Sequence, residues 1–135
     1  MASPIRALVE DVARKVDSDP RLRDSMKRWL STYDGKIVGF RIGGSIDRSE
    51  WRERFHFILS RDGARVEEGD YPSPEVTLLI ERDEDAVEIF KNPGKTMEMI
   101  RGGRVWVMGN MNEALPFFNE VVSRCGDVVK KHLAS

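Results

Sequence analysis

The fold is decided by residues 74–111, which read PEVTLLIERDEDAVEIFKNPGKTMEMIRGGRVWVMGNM. The apolar run after Pro74 predicts a strand over residues 76–81, because it is short, rich in branched side chains and bounded by breakers. Helical spacing follows, and a Gly-Gly turn then leads into another predicted strand over residues 105–108. The stretch therefore places helical segments between two strands.

Three acidic residues, Asp83, Glu84 and Asp85, open the helical part of this stretch. Asp83 can cap a short helix, and the positive end of that helix favours the carboxylates that follow. Paired carboxylates can also act as general acid and base. Capping explains the three residues without any further partner, so it is the preferred interpretation.

The region from residue 36 to residue 68 has the period-two pattern of strands. A first strand over 36–42 is predicted to break at the glycine pair that follows it. Two more strands are predicted over 54–59 and 64–68, with a tight hairpin turn between them.

Helical spacing marks both ends of the chain. Ser3 and Pro4 are predicted to begin a first helix, and Asp19 is predicted to cap a second one. The apolar stripe of this second helix comprises Leu22, Met26, Trp29, Leu30 and Tyr33. Pro116 is predicted in the first turn of the last helix. The apolar stripe of the last helix comprises Phe118, Val121, Val122, Cys125, Val128, Val129 and Leu133.

These elements predict an α+β fold in which a five-stranded, mostly antiparallel sheet is covered by helices. A chain of 135 residues suits one domain over residues 1–135. Its expected parts are helices over 1–33, the sheet with two short helices over 36–110, and a last helix over 111–133.

Composition limits the partners and the compartment. The net charge is −1, and basic residues are interspersed with acidic ones, so no basic stripe is expected to bind nucleic acid. Apolar runs are far shorter than a membrane span, which predicts at most transient membrane contact. The N-terminus lacks signal-peptide character, and one cysteine cannot form an internal disulfide, so we expect a cytoplasmic protein.

Residues that could support catalysis are few. His56 and His132 lack the spacing of zinc ligands, and Cys125 lies on an apolar helix stripe where it suits a buried hydrophobe. No nucleophile elbow, phosphate-binding loop or dinucleotide-binding loop occurs in the sequence. We therefore expect no enzymatic activity, no metal and no cofactor.

The order of motifs over residues 71–122 resembles the sterol carrier protein type-two family, and the resemblance extends more weakly back to Lys36. The motifs are Pro74-Glu75-Val76-Thr77-Leu78, Asp83 at a helix start, Gly94-Lys95, and Gly103-Arg104-Val105-Trp106-Val107-Met108-Gly109-Asn110-Met111. The resemblance implies helices on one face of the sheet, with an apolar tunnel between them. It also implies non-catalytic binding and transfer of a sterol, fatty acid, fatty acyl-CoA or other lipid.

The residues expected to contact such a ligand are apolar and lie on the predicted inner strand faces and helices. They are Phe40, Phe57, Leu78, Ile80, Val87, Phe90, Met97, Ile100, Val105, Val107, Met111, Leu115 and Phe118. Met97, Met99, Met108 and Met111 lie near the last strand and can adapt to ligands of variable shape. An ordinary core needs the same residue types. The last helix is likewise either a movable cover or a packed helix.

Trp106 occupies a strand position that is usually polar in the family, on the face opposite the predicted tunnel. Trp106 and Met108 together predict an apolar patch on the outer sheet face, suited to a homodimer contact or to a docked helix. This leaves an alternative function as an interaction or dimerisation module whose tunnel is filled by Phe117, Phe118 and Trp106. A further alternative is an accessory subunit of a lipid-metabolising enzyme.

Overall fold

The computed structural model describes residues 4–25, 35–60 and 62–133. Within these ranges a five-stranded sheet has the order β3-β2-β1-β4-β5. Its strands are β1 Gly35–Ser45, β2 Glu50–Ser60, β3 Gly63–Glu68, β4 Val76–Ile80 and β5 Trp106–Gly109. The predicted α+β class is confirmed, and the bounds of β4 and β5 differ from prediction by a single residue.

β1 lies at the centre of the sheet. Phe40 is opposite Phe55 in the antiparallel pair with β2 and opposite Leu78 in the parallel pair with β4. The pairs β2–β3 and β4–β5 are antiparallel, so the predicted mostly antiparallel arrangement is confirmed. Side chains alternate between the two faces of a strand, and Val38, Phe40 and Ile42 therefore share one face. All three are fully buried there.

The first hairpin is longer than predicted. β1 continues through Gly43 and Gly44, and β2 begins at Glu50. A Cβ atom at position 44 would lie only 1.8 Å from the carbonyl oxygen of Glu50. Gly43 has a φ of 74°, in the left-handed region that glycine adopts easily. The two glycines permit close pairing of the strands, and the predicted strand break at this position is wrong.

Helices cover one face of the sheet. The α-helices are α1 Pro4–Ser18, α2 Pro20–Ser25, α3 Asp83–Lys91, α4 Thr96–Arg101, α5 Met111–Pro116 and α6 Gly126–Leu133. Shorter turns of 3₁₀ type span Pro93–Lys95 and Val122–Cys125, and a π-helical segment spans Phe117–Val121. α1 packs on β2 and β3 and contacts α6, which in turn contacts α3. Among the described helices, none is long and apolar enough to cross a bilayer.

The predicted starts of the first two helices are confirmed where they are described. α1 begins at Pro4. Asp19 caps α2, because its Oδ1 accepts hydrogen bonds from the backbone N–H groups of Arg21 at 3.0 Å and Leu22 at 3.3 Å. The other residues predicted for these helices, Ser3, Met26, Trp29, Leu30 and Tyr33, lie outside the described residues.

α3 begins without the predicted cap. Arg82 occupies the N-cap position and makes no side-chain capping bond, so the prediction that Asp83 caps this helix is wrong. Asp83 lies in the first turn and pairs with Arg52. Asp85 is buried and accepts a hydrogen bond from Arg104 Nε at 2.8 Å. These carboxylates are stabilised by the helix dipole and by arginine partners rather than by capping.

The predicted last helix consists of unlike parts. Asn110 caps α5 by accepting a hydrogen bond from the N–H of Asn112 at 3.0 Å. Pro116 therefore lies in the last turn of α5, and its predicted place in a first turn is wrong. Because proline has no N–H, the α-helical bond to the carbonyl of Asn112 cannot form. The backbone continues as the π-helical segment, the 3₁₀ turn and then α6.

Candidate ligand-binding site

All six phenylalanines of the chain are buried. The ring centroid of Phe117 lies 5.5 Å from that of Phe40, 5.2 Å from Phe57 and 5.1 Å from Phe118. Phe90 joins the cluster, with its centroid 5.4 Å from Phe118. These edge-to-face contacts are favourable for aromatic rings. Aromatic side chains thus occupy space between the sheet and the helices, and the tunnel stays a prediction.

The residues predicted to contact a ligand lie in three environments. The buried ones are Phe40, Phe57, Leu78, Ile80, Phe90, Val105 and Phe118. The half-buried ones are Val87, Met97, Ile100, Val107 and Leu115. Met111 is exposed. The buried residues belong to the core of the protein, and their role as ligand contacts stays a prediction.

The four methionines near the last strand have different surroundings. Met99 is buried and Met97 is half-buried, whereas Met108 and Met111 are exposed. Met108 lies opposite Thr77 on the outer sheet face, away from the phenylalanine cluster. The structure therefore does not bring these methionines together as one wall.

An open groove of about 580 Å³ lies between the C-terminal end of α3 and the residues from Val122 onward. We call it the α3–α6 groove. It is lined by Phe90, Lys91, Asn92, Pro93, Val122, Ser123, Gly126, Val129, Lys130 and Leu133. Its volume falls in the range of about 300–1,000 Å³ that is typical of small-molecule sites.

The floor of the groove is apolar and recessed. It comprises Phe90, Val122, Val129 and Leu133, none of which is more than 7% exposed. The sequence predicted only Phe90 as a ligand contact, although the other three belong to the predicted stripe of the last helix. The change to a 3₁₀ turn at Val122–Cys125, which has no marker in the sequence, sets how this stripe faces α3.

Two lysines lie at the rim of the groove. Lys91 and Lys130 are exposed, and neither forms an ion pair within residues 4–25, 35–60 and 62–133. Among the described residues, no aspartate or glutamate lines the groove. The rim therefore carries positive charge that no carboxylate of the described lining neutralises.

Ion pairs hold α6 against α1. Lys15 Nζ lies 2.5 Å from Asp127 Oδ1. Asp11 binds His132 through a hydrogen bond, and its carboxylate lies 3.6 Å from Lys131 Nζ. The pairs join α1 to the side of α6 that does not line the groove.

The pKa of Asp11 is lowered to about 2, first by the hydrogen bond with His132 and then by the one from Arg14. The hydrogen bond between Lys15 and Asp127 raises the pKa of Lys15 and lowers the pKa of Asp127. Each shift favours the charged form of its group at neutral pH. Asp11, Lys15 and Asp127 are therefore charged near neutral pH.

Cys125 is buried in the last helical segment, as the sequence predicted. Burial raises the pKa of its thiol to about 11. A thiol in this environment is a poor nucleophile near neutral pH, because the reactive thiolate is scarce.

The two histidines lie on separate elements. His56 is buried on the outer face of β2, with Nδ1 2.9 Å from the carbonyl oxygen of Gly69 and Nε2 3.4 Å from Glu67 Oε1. His132 lies on α6 beside Asp11. Among the described residues, no three histidine, cysteine or acidic side chains are grouped so that they could hold a metal ion.

The outer sheet face carries the predicted apolar patch. Trp106 is 51% exposed and Met108 is 48% exposed. A depression of about 250 Å³ beside Met108 is also lined by Tyr71, Pro72 and Pro74. We call this surface the Trp106 face. α1 packs on the opposite face of the sheet and does not cover it.

The fold recurs in solved structures of low sequence identity. One, described as "UbiJ-SCP2 Ubiquinone synthesis protein", has a TM-score of 0.63 and 14% identity, and the match covers 87% of this chain and 88% of that chain. Apo sterol carrier protein 2 from Yarrowia lipolytica has a TM-score of 0.54 and 12% identity, with 96% and 89% covered. The sterol carrier protein domain 2 of Helicoverpa armigera has a TM-score of 0.53 and 15% identity, with 98% and 91% covered.

No family model and no curated protein matches the sequence. At these identities the structural likeness shows the fold alone. The chain has the sterol carrier protein 2 fold, and the resemblance read from the sequence is confirmed at that level.

Proposed function

We propose that this chain, which has the sterol carrier protein 2 fold, binds a hydrophobic ligand and transfers it without catalysing a reaction. The proposed ligand classes are sterols, fatty acids, fatty acyl-CoA and other lipids. We place this activity in the cytoplasm, with at most transient contact with a membrane. The proposal rests chiefly on one observation, the continuity between the α3–α6 groove and the phenylalanine cluster.

Phe90 provides that continuity. Its side chain lines the groove, and its ring centroid lies 5.4 Å from Phe118 and 6.1 Å from Phe40. A ligand chain that displaced Phe90 and Phe118 would pass from the surface into the apolar core. Burial of apolar ligand surface would contribute about 25 cal/mol per Å² before the costs of association.

The segment over the cluster is suited to such movement. Phe117 and Phe118 lie in the π-helical segment, between Pro116 and the 3₁₀ turn. Regular α-helical hydrogen bonding is already interrupted here, so a change of backbone register disrupts fewer ideal bonds than it would in an unbroken helix. In this proposal the segment is the movable cover.

A bulky residue at Gly126 tests the site. Gly126 lines the groove, and a Cβ atom added there meets no heavy atom within 4 Å. We expect Gly126→Phe to weaken binding of a fluorescent fatty acid, sterol or polyprenyl probe by roughly tenfold, a loss of about 1.4 kcal/mol. The measurement is a fluorescence titration of delipidated protein.

Gly94→Phe is the matched control. Gly94 has the same open surroundings and does not line the groove. Its variant should bind like the wild type. If delipidated wild-type protein binds none of these probes at micromolar concentration, the proposal is wrong. If Gly126→Phe and Gly94→Phe weakened probe binding equally, the groove would not be the binding site.

A second candidate function is an interaction module, which the exposure of Trp106 and Met108 favours. Here two copies associate through the Trp106 face, and the phenylalanine cluster is a permanent filling of the interior. Light scattering should then give a dimer mass that falls to the monomer mass for Trp106→Lys. A strict monomer at all concentrations, unchanged by Trp106→Lys, would exclude the dimer. Co-purification with a lipid-metabolising enzyme would instead support the accessory-subunit version.

A further inference from the structure

The cations at the groove differ from their basic neighbours in one respect. Lys131 lies 3.6 Å from Asp11, and Lys95 lies 3.3 Å from Glu88. Lys91 and Lys130, by contrast, form no ion pair within the described chain, and both line the groove. Lys95 and Lys131 do not line the groove and each has a carboxylate partner, whereas their neighbours Lys91 and Lys130 line it and are available to a ligand.

The described lining of the groove lacks groups that would compete for these cations. Its other polar side chains are Asn92 and Ser123, and no carboxylate of the described residues lines it. The rim therefore offers two ammonium groups to an anion, and no described residue of the lining is negatively charged. The apolar floor belongs to the same groove, because Phe90 and Val129 line it together with Lys91 and Lys130.

We propose that the α3–α6 groove selects a single-chain amphiphile with a carboxylate head, which Lys91 and Lys130 bind while the chain lies on the apolar floor. This inference rests on the proposed function and specifies the class of ligand. It places an anionic chain ahead of an uncharged sterol or ester at the same site.

A membrane surface fits these observations less well. Membrane-docking faces present protruding apolar side chains that enter the headgroup region. The apolar residues here are recessed, since Phe90 and Val122 are each only 1% exposed. A single chain can reach such a floor, whereas the flat surface of a bilayer cannot.

The test compares parinaric acid with its methyl ester, two probes that share one chain and differ in the head group, which is an anionic carboxylate in the first and an uncharged ester in the second. Both are titrated into delipidated protein below their critical micelle concentrations at neutral pH. For the wild type we expect the acid to bind more tightly than the ester, with a preference that decreases as salt rises. For Lys91→Gln/Lys130→Gln we expect the acid-to-ester preference to fall by roughly five- to tenfold, as for two partly exposed charge contacts.

Arg48→Gln/Arg101→Gln is the charge-matched control. Both arginines are exposed, lie outside the groove and form no ion pair within residues 4–25, 35–60 and 62–133. This variant should keep the wild-type preference. Equal affinity of the wild type for acid and ester, or an unchanged preference in the lysine variant, would overturn the inference and leave the proposed function intact. Binding of neither probe would overturn both.

Vesicles of phosphatidylglycerol test whether the two lysines bind an anionic membrane surface instead of a free carboxylate. We expect sedimentation with these vesicles to be weak and similar in the wild type and the lysine variant. Lysine-dependent binding to vesicles without any preference for the free acid would assign the two lysines to a membrane surface and overturn the inference.

Discussion

Phe117 packs against Phe40, Phe57, Phe90 and Phe118, and it stands in the π-helical segment directly after Pro116. The sequence presents it as one of two adjacent phenylalanines and does not distinguish which faces the sheet. A π-helical segment changes the angular position of every residue after it. The placement of both rings in the core therefore depends on a backbone irregularity and not on helical spacing alone.

Truncation of Phe117 measures how much the cluster contributes to stability. Phe117→Ala should lower the free energy of unfolding by about 3–5 kcal/mol, through lost apolar burial and the cavity left behind. Equilibrium urea unfolding gives this value. Phe117→Leu is the graded control and should cost less, because it retains most of the volume. A loss below about 1 kcal/mol for alanine would contradict the packing described here.

The reactivity of the Cys125 thiol tests whether this residue is buried, as the structure places it. With a pKa of about 11, roughly one thiol in a thousand is ionised at pH 8. Native protein should therefore react with a thiol reagent far more slowly than urea-unfolded protein. Ser123→Cys in a Cys125→Ala background is the control, since Ser123 is exposed at the groove and should react quickly. Equal native rates would show that the thiol is not protected.

At the scale of elements, α6 contacts both α1 and α3, and its ion pairs within the described residues all reach α1. The pairs Lys15–Asp127 and Asp11–His132 bring together helices that are far apart in the sequence. Opening of the groove would therefore move α6 away from α3 while its contact with α1 persists. We would then expect α1 and α6 to move as one unit.

Acid should weaken that contact in a defined range. The folded pKa of Asp11 is about 2, below its ordinary value of 3.8, so its stabilising effect is complete above the ordinary value and is lost as pH falls through 2. We expect Asp11→Asn to lower the free energy of unfolding by about 1 kcal/mol at neutral pH. The difference from the wild type should disappear as the pH approaches 2.

Urea unfolding between pH 2 and pH 7 measures this difference. Asp47→Asn is the control, because Asp47 is exposed in the β1–β2 turn and forms no ion pair within the described residues. It should match the wild type at every pH. A pH-independent effect of Asp11→Asn would assign the loss to packing rather than to charge.

Periodicity predicts elements better than it predicts their junctions. The alternation of Val38, Phe40 and Ile42 locates β1, and Asp19 locates the start of α2. The break expected at Gly43 does not occur, because glycine serves close strand pairing as readily as it serves a turn. The orientation of Val122 likewise depends on the π-helical segment and the 3₁₀ turn after Pro116, which helical spacing alone does not specify.

At the scale of the whole molecule, the family resemblance predicted the architecture but not the groove. The groove forms where α3 ends near residues that follow it by some thirty positions or more, such as Val122 and Val129. Tertiary packing determines which residues line it. No pattern in the sequence indicates that Lys91 and Lys130 lie at the same groove. The Trp106 face was predictable, since it needed only strand alternation.

Ligand binding should stabilise the entire fold. A ligand that binds only the folded state, at about 100 times its Kd, adds roughly 2.7 kcal/mol to the free energy of unfolding. Saturating parinaric acid should therefore raise the Tm of the wild type and of Gly94→Phe, but raise that of Gly126→Phe far less. Differential scanning calorimetry provides the measurement. An equal rise in all three proteins would indicate binding elsewhere.

The parallel pairing of β1 with β4 also has a consequence for how the chain folds. β2 and β3 can add to β1 by local hairpins, whereas β4 must return from beyond them to the other side of β1. Such a non-local closure is slow compared with hairpin formation. Until it occurs, β1 is an apolar edge strand with open hydrogen-bonding groups, which is a site of intermolecular association. Aggregation during refolding should therefore begin at β1, before β4 has covered it.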